Sequence, residues 1–376
     1  MRICVLCPGF PTKKTAIGVF VVKLCEEMAR QGHVVTIIAP QRLLYIFSGK
    51  DCMSPTSFVH KTATDEIIKV LRPLMLSFSN IPILKKANSF LRRRAIRRAV
   101  AKAGDQDIYY GHFWDNGYFL YEAIKQLGKP LFVATGESTI KFRTVNKAFS
   151  EYVNGVICVS TKNLEESIAA GLTTKEKCIV IPNAIDSSVF HKMDKQQCRQ
   201  ELGIDKNKFV VVFVGQLNQR KGYDRVAAAI DRLNDDTIGV VFLGGVKEGR
   251  VPQCQGIIKC GLVVQNEIPK YLNAADVFVL PTRAEGCCNA IVEAMACGLP
   301  IVSSDMPFNY DILDNTNALL INPDNVEEIA GAIQELKYNP VLADSMSKCS
   351  LAKAQDLSLA VRADKIIRFI KEGGSV

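Results

Sequence analysis

Short apolar runs alternate with amphipathic stretches along the chain. The first run, Ile3–Cys7, precedes a stretch with helical spacing, Gly18–Gln31, which Gly32 closes. Five more runs follow and are expected as strands: Val34–Ala39, Ile108–Tyr110, Leu131–Val133, Gly155–Val159 and Cys178–Ile181. Strands that alternate with helices in this way predict parallel sheets in α/β layers.

A polar stretch from Asp186 to Lys208 interrupts the alternation. Phe209–Val214 then forms a continuous apolar run, which is typical of a buried parallel strand. Five similar runs continue the pattern: Val240–Leu243, Gly256–Ile258, Val277–Leu280, Pro300–Val302 and Ala318–Ile321. We therefore predict two doubly wound, Rossmann-like α/β domains facing a cleft. They cover residues 1–186 and 187–376, and the final helix, at about 357–371, is free to pack back on the first domain.

The composition agrees with a two-domain protein and also indicates its cellular compartment. The 376 residues are 48% hydrophobic and 23% charged, as in ordinary globular proteins. Thirteen cysteines at irregular spacing predict reduced thiols, and the pair Cys4 and Cys7 lacks the second ligand pair of a zinc site. Because the sequence has neither a signal peptide nor an apolar run long enough to span a bilayer, we expect a cytoplasmic protein.

The net charge of +9 is concentrated in the first third of the chain. Residues 1–110 contain 18 Lys and Arg against 7 Asp and Glu, and the remaining residues contain 29 against 31. This excess predicts that the first third meets an anionic partner.

The loop after Val277–Leu280 carries the most specific chemistry. Glu285 and Glu293 flank Asn289, which we predict to be the N-cap of a helix that stops at Gly298. A helix N-terminus suits a pyrophosphate, and the two carboxylates can accept hydrogen bonds from sugar hydroxyls. A plain βαβ unit with two surface glutamates is the alternative explanation.

The segment Pro281–Pro300 resembles the E-x7-E signature of retaining GT-B glycosyltransferases, in particular glycosyltransferase family 4. Four more segments are similar to that family: Gly215–Gly222 to its G-R-L-x-x-x-K-G loop, Ile181–Asp186 to I-P-N-G-V-D, Tyr271–Pro281 to the strand before the glutamates, and Gly18-Val-Phe with Gly32-His-Val to the first βα unit. The surroundings of Asn289, with Pro307–Leu313, resemble bacterial cell-surface polysaccharide transferases.

The resemblance implies a retaining transferase that uses a nucleotide sugar and needs no metal, no other cofactor and no protein nucleophile. It implies an acceptor-binding first domain and a donor-binding second domain. Lys221 would hold the donor pyrophosphate, Glu285 the sugar and Glu293 the ribose. The remaining donor contacts implied are Gly18 at the phosphates, Gly215 in the phosphate loop, Val263 at the base, and the N–H groups of Gly286, Cys287, Cys288 and Asn289 at the sugar and phosphate.

Two departures from the family pattern bear on the site. Gln216 stands where the family has arginine, and Arg220 is the candidate replacement. The turn after Leu131–Val133 lacks the family's histidine, so Glu137 or His112 would act on the acceptor instead. Glu137 could equally be a solvated or helix N-terminal charge, and a lone histidine such as His112 is often structural.

Residues 85–102 form a basic helix. Its arginines are Arg92, Arg93, Arg94, Arg97 and Arg98, of which the last three share a face opposite Leu91, Ala95, Ile96 and Ala99. With the apolar stretch Val70–Leu84 before it, this helix predicts contact with anionic lipid headgroups at the inner face of the cell membrane, and a lipid-diphosphate-linked glycan as acceptor. An ordinary solvated helix face is the alternative, and no motif accompanies the charge that would indicate nucleic acid.

Two other functions share this fold. A sugar-nucleotide 2-epimerase would use the same donor without an acceptor, and a catalytically silent binding protein would explain Gln216 and the missing histidine. Retention of Lys221, Glu285 and Glu293 argues against the silent protein.

Overall fold

The computed structural model describes residues 1–75, 85–143, 146–246 and 251–374. The chain forms two compact units. The first contains the described residues of Met1–Val159, Asn163–Ile181 and Ala363–Val376, and the second contains Ser160–Lys162 and Pro182–Arg362. The sequence had set the boundary between residues 186 and 187. Ile185 belongs to the second unit because its N–H donates to Leu357 O at 2.9 Å and its carbonyl accepts from Leu359 N at 3.0 Å.

The first unit is built on an eight-stranded sheet. The strands along this part of the chain are β1 (Arg2–Leu6), β2 (Val34–Ile38), β3 (Gln41–Arg42), β4 (Ser57–Lys61), β5 (Ile67–Leu71), β6 (Leu74–Met75), β7 (Ile108–His112), β8 (Leu131–Ala134), β9 (Gly155–Cys158) and β10 (Cys178–Val180). The helices are α1 (Val19–Arg30), α2 (Leu43–Phe47), α3 (Lys85–Ala103), α4 (Trp114–Ile124), α5 (Lys147–Tyr152) and α6 (Thr161–Ala169).

The sheet has the order β10-β9-β8-β7-β1-β2-β5-β4, and β3 pairs separately with β6. Its paired strands are parallel except β4, which is antiparallel to β5. Strands β3 to β6 were not predicted. The edge strand β4 alternates exposed and half-buried residues, so its sequence lacks a continuous apolar run.

Successive residues of β1 point to opposite faces of the sheet, as a strand requires. Ile3 and Val5 belong to a core that α1 covers, whereas Cys4 and Leu6 belong to a core with α3 and α4. The final helix, α13 (Leu359–Lys371), adds Phe369 to the first core, where its ring lies 6.1 Å from that of Phe132.

The second unit is built on a six-stranded parallel sheet. Its strands are β11 (Phe209–Val214), β12 (Ile238–Leu243), β13 (Ile257–Gly261), β14 (Val277–Leu280), β15 (Ile301–Ser304) and β16 (Ala318–Ile321). Its helices are α7 (Lys195–Leu202), α8 (Tyr223–Leu233), α9 (Ile268–Ala274), α10 (Asn289–Ala296), α11 (Val326–Tyr338) and α12 (Pro340–Gln355).

The strand order of this sheet is β13-β12-β11-β14-β15-β16, the doubly wound order in which β11 and β14 flank the switch point. Residues 210–213 of β11 are fully buried, which explains why that run is continuously apolar. The prediction of two Rossmann-like α/β domains is confirmed, and three predicted strands, β11, β14 and β16, have the observed bounds.

The basic helix α3 differs from its prediction in which arginines it exposes. The Arg92 guanidinium donates to Asp115 Oδ2 at 3.0 Å and to Asn116 Oδ1 at 2.6 Å, and Arg93 lies 3.5 Å from Glu122 Oε2. Both side chains are therefore held against α4, although the Arg93 side chain remains 40% exposed.

The other arginines of α3, Arg94, Arg97 and Arg98, are exposed, and Ile96 and Ala99 are buried as predicted. Within the apolar stretch Val70–Leu84, Val70 and Leu71 are buried in the sheet, which corrects their assignment to a lipid-facing surface. Residues 76–84 lie outside the described residues. No helix in the part of the chain that the structure describes is long and apolar enough to cross a bilayer.

All thirteen cysteines are free thiols. Cys4 and Cys7 lie in and just after β1, and burial raises the pKa of each to about 12. In the described ranges, no group of three or more His, Cys, Asp or Glu side chains is placed to hold a metal ion.

Candidate functional site

The loop Gly215–Gly222 joins β11 to α8 and brings Lys221 to the end of β14. The Lys221 N–H donates to Asn218 Oδ1 at 3.0 Å, which orders the turn. Gly222 follows with φ of 83°, and a Cβ there would lie 2.6 Å from the carbonyl oxygen of Pro281. Only glycine permits this approach between the two loops.

A buried arginine holds the two loops together. Arg225, in the first turn of α8, donates from Nη1 to Gln219 O at 2.9 Å and from Nη2 to Pro281 O at 2.8 Å. Arg225 was not predicted from the sequence. The available signal was a charged residue on the apolar face of α8, next to the buried Val226.

Three side chains converge on one carboxylate oxygen. Glu285 Oε1 lies 2.8 Å from Lys221 Nζ and 2.6 Å from Arg220 Nη1, and it accepts from Thr282 Oγ1 at 2.9 Å. The side chains of Lys221 and Glu285 are each 12% exposed and that of Arg220 is 39% exposed. Arg220, the candidate replacement for the family arginine, therefore points into the same cluster as Lys221.

Burial and charge set the protonation of this cluster. Burial alone would lower the pKa of Lys221, but Cys288 and Glu285 beside it raise that pKa above its ordinary value. Burial raises the pKa of Glu293 to about 7, and the charge of Lys221 partly opposes this. The charges of Glu293 and Lys221 therefore interact, as expected if both belong to one binding site.

Helix α10 begins one residue earlier than predicted. Its N-cap is Cys288, and Asn289 is its first residue, so the assignment of Asn289 as N-cap is wrong. The asparagine side chain is instead engaged outside the helix, because its Oδ1 accepts from Asn183 Nδ2 at 2.8 Å. The loop residues Gly286, Cys287 and Cys288 are buried and Asn289 is exposed.

Asn183 was quoted in the I-P-N motif but given no role. Its Nδ2 donates to the Cys287 carbonyl at 2.9 Å as well as to Asn289. It therefore fixes the loop that carries the predicted N–H donors.

Two further predicted donor residues, Gln216 and Val263, lie in the loops after β11 and β13. Gln216 is exposed, and its Oε1 accepts from Asn218 Nδ2 at 3.3 Å. Val263 follows β13, which is two strands from β11 in the sheet order.

In the first unit, the candidate residues follow three neighbouring strands. Gly18 precedes α1 with φ of 84°, and a Cβ there would lie 2.2 Å from Gly9 O. Glycine is therefore required by the loop itself, whatever binds beside it. His112 ends β7, is buried, and stacks edge-on with Phe20 at 5.0 Å between ring centroids.

Glu137 follows β8 and lies at the N-terminus of α4. Its Oε1 accepts from the N–H of Trp114 at 3.4 Å and its Oε2 from that of Gly136 at 2.9 Å. Burial raises the pKa of Glu137, and these backbone donors partly offset the rise. These contacts agree with the alternative in which Glu137 is a charge at a helix N-terminus, rather than a solvated loop carboxylate.

Two family matches cover most of the chain. Residues 17–189 match the family described as Glycosyltransferase Family 4, and residues 208–339 match Glycosyl transferases group 1. The first match lies mainly on the first unit and the second match on the second.

Similar proteins carry transferase names. A teichuronic acid biosynthesis glycosyltransferase, TuaC, of Bacillus subtilis (strain 168) is 28% identical over 375 residues, which covers 92% of each chain. The UDP-Gal:alpha-D-GlcNAc-diphosphoundecaprenol alpha-1,3-galactosyltransferase of Escherichia coli is 28% identical over 56% of this chain and 58% of its own length.

Solved structures establish the GT-B fold. Sucrose-phosphate synthase from Thermosynechococcus elongatus has a TM-score of 0.80 at 18% identity, covering 99% of this chain and 98% of its own. Anabaena HepE in complex with UDP and glucose has a TM-score of 0.73 at 18% identity, covering 99% and 100%.

Proposed function

The chain belongs to the glycosyltransferases of the family 4 type, and we propose that it is an enzyme that transfers a sugar from a nucleotide diphosphate sugar to a lipid-linked glycan. We propose retention of the anomeric configuration and a place in cell-surface polysaccharide biosynthesis. The observation that carries the proposal is the convergence of Arg220 and Lys221 on Glu285, at the carboxyl ends of β11 and β14. This edge is where open α/β sheets bind their ligands.

The two cations match the charge that the reaction develops. Breaking the bond between the anomeric carbon and the diphosphate leaves negative charge on the leaving phosphate. Preorganised positive groups stabilise that charge in the transition state. In this proposal Lys221 and Arg220 pass from Glu285 to the diphosphate when the donor binds, and Glu285 then accepts hydrogen bonds from the sugar hydroxyls.

The surrounding residues complete the donor site of the proposal. The N–H groups of Gly286 to Asn289 lie at the start of α10, next to the cation pair, where they suit phosphate or sugar oxygens. Glu293 would accept from the ribose hydroxyls. UDP is the nucleotide we propose, because HepE was solved with UDP and the Escherichia coli relative is named for UDP-Gal.

Retention and metal independence are parts of the proposal that rest on the family. Two side-chain cations at the leaving group supply the charge that a metal ion would otherwise supply. We assign no covalent nucleophile, because in the proposed complex the Glu285 carboxylate accepts hydrogen bonds from the sugar hydroxyls.

The acceptor side is proposed from the first unit and from relatives. The relatives are named for teichuronic acid biosynthesis and for a diphosphoundecaprenol-linked sugar. Glu137 and His112 are the groups proposed to orient the acceptor hydroxyl. The exposed arginines Arg94, Arg97 and Arg98 would contact anionic headgroups.

Vesicle flotation tests the membrane contact. Replacing Arg94, Arg97 and Arg98 with glutamine should release the protein from anionic phosphatidylglycerol vesicles at low salt, since each basic residue near the surface adds about 1 kcal/mol. The control changes three exposed lysines of the same unit, Lys141, Lys147 and Lys175, to glutamine. Equal flotation of the two variants would remove the membrane contact from the proposal.

A thermal-shift screen tests the donor. Of UDP-, GDP-, dTDP- and ADP-sugars, a UDP-sugar should raise the melting temperature most, because a ligand at 100 times its Kd adds about 2.7 kcal/mol to the stability of the folded state. No shift with any of the four classes would contradict the proposal. Conversion of the sugar nucleotide to an epimer without acceptor would favour the 2-epimerase instead.

A further inference from the structure

The orientation of the Asn183 side chain is fixed by a backbone carbonyl. The Cys287 carbonyl can only accept a hydrogen bond, so the Asn183 atom 2.9 Å away must be its amide nitrogen. The same nitrogen lies 2.8 Å from one terminal atom of the Asn289 side chain. That atom must also accept, and it is therefore the Asn289 oxygen.

This chain of contacts leaves the amide nitrogen of Asn289 turned away from Asn183. Asn289 is exposed, although the loop residues before it are buried. Its neighbour in the chain, Cys288, has its Sγ 3.6 Å from Lys221 Nζ. Asn289 thus stands at the exposed start of α10, one residue after the Cys288 that contacts Lys221.

We propose that Asn183 is a positioning residue that makes Asn289 a hydrogen-bond donor to the ligand. The atom it meets is an oxygen that can only accept, either of the diphosphate or of a carboxylate on the donor sugar. This inference rests on the proposed function, because it assigns a contact within that donor site. Without Asn183, the Asn289 amide can rotate and present its oxygen, which a phosphate or carboxylate would repel.

Binding of UDP, UDP-glucose and UDP-glucuronate to the full chain tests the inference by calorimetry. Asn289→Ala should raise Kd about 3- to 10-fold, as for one lost hydrogen bond. Asn289→Asp should raise it at least about 10-fold, since it places a carboxylate against the acceptor oxygen. An effect on all three ligands identifies the diphosphate, and an effect confined to UDP-glucuronate identifies the sugar carboxylate.

A double-mutant cycle separates positioning from a merely structural role. If Asn183 acts through Asn289, then Asn183→Ala raises Kd about 3-fold in the wild type and leaves it unchanged in the Asn289→Ala background. A structural role would give the same loss in both backgrounds. The control is Asn339→Ala, which removes an amide cap from α12 and should alter stability without altering Kd.

The binding measurements distinguish failure of this inference from failure of the proposed function. Unchanged Kd values in both Asn289 variants, with UDP bound by the wild type, would overturn the inference and leave the proposed function standing. Absence of binding by the wild type to all three ligands would overturn both. Should Asn183→Ala fail to fold, the two variants of the exposed Asn289 still decide the question.

Discussion

Replacing Lys221 with alanine should slow sugar transfer about 10²- to 10³-fold, the usual effect of removing one preorganised group that stabilises developing negative charge. The Lys221 side chain is 12% exposed beside Glu285, and its removal leaves Arg220 and Thr282 on that carboxylate. The protein should therefore remain folded. The measurement is the initial rate of nucleoside diphosphate release from a UDP-sugar at saturating donor, with melting temperature as the check on folding.

A matched lysine is available elsewhere in the same unit. Lys270 forms an exposed ion pair with Glu201, and such surface pairs contribute little to stability. Lys270→Ala should leave the release rate unchanged. If Lys221→Ala released nucleoside diphosphate as fast as Lys270→Ala, Lys221 would have no role in the reaction.

Replacing Glu285 should separate nucleotide binding from sugar transfer. In the proposed site Glu285 holds the sugar, so Glu285→Ala and the isosteric Glu285→Gln should each slow transfer about 10²-fold or more, at the lower end of the range for such groups. UDP itself should bind as tightly as before or several-fold more tightly, because the diphosphate no longer competes with a carboxylate for Arg220 and Lys221.

Calorimetry with UDP and rate measurements with a UDP-sugar check the two halves of this prediction. The matched control is Glu201→Gln, which removes an exposed carboxylate from a lysine pair. Loss of UDP binding in Glu285→Gln, with the fold intact, would show that the carboxylate holds the nucleotide rather than the sugar.

The two units differ in how far the sequence predicted them. The inner strands of the second unit, β11, β12, β14 and β15, are buried on both faces, so their apolar runs mark them directly, as in Phe209–Val214. The first unit includes an antiparallel edge pair, β4 and β5. Ser57–Lys61 is nowhere fully buried, and its place depends on pairing with β5 rather than on its own sequence.

The site residues to which a family motif gives a role were predicted from the sequence. Those whose side chains bind backbone carbonyl oxygens of other loops were not. Lys221 and Glu285 were identified by the family pattern, and the structure brings them together. Arg225 and Asn183 bind carbonyl oxygens of loops 56 and 104 positions away along the chain. Such contacts depend on which loops the fold brings together, and a single sequence does not contain that information.

The direction of Arg220 shows the same limit. The sequence shows that Arg220 is adjacent to Lys221. Adjacent side chains of a loop can point in different directions, so the sequence does not show whether Arg220 points into the site. In the structure it points to Glu285, because the two loops are joined by the Arg283 N–H, which donates to Arg220 O at 2.9 Å.

Proton NMR of the purified chain with a UDP-sugar and a lipid-linked glycan acceptor tests the central claim most directly. The account predicts release of UDP together with a new glycosidic linkage of the same anomeric configuration as the donor, and loss of both signals in Lys221→Ala. A donor that stays intact, or a release that Lys221→Ala does not slow, would contradict it.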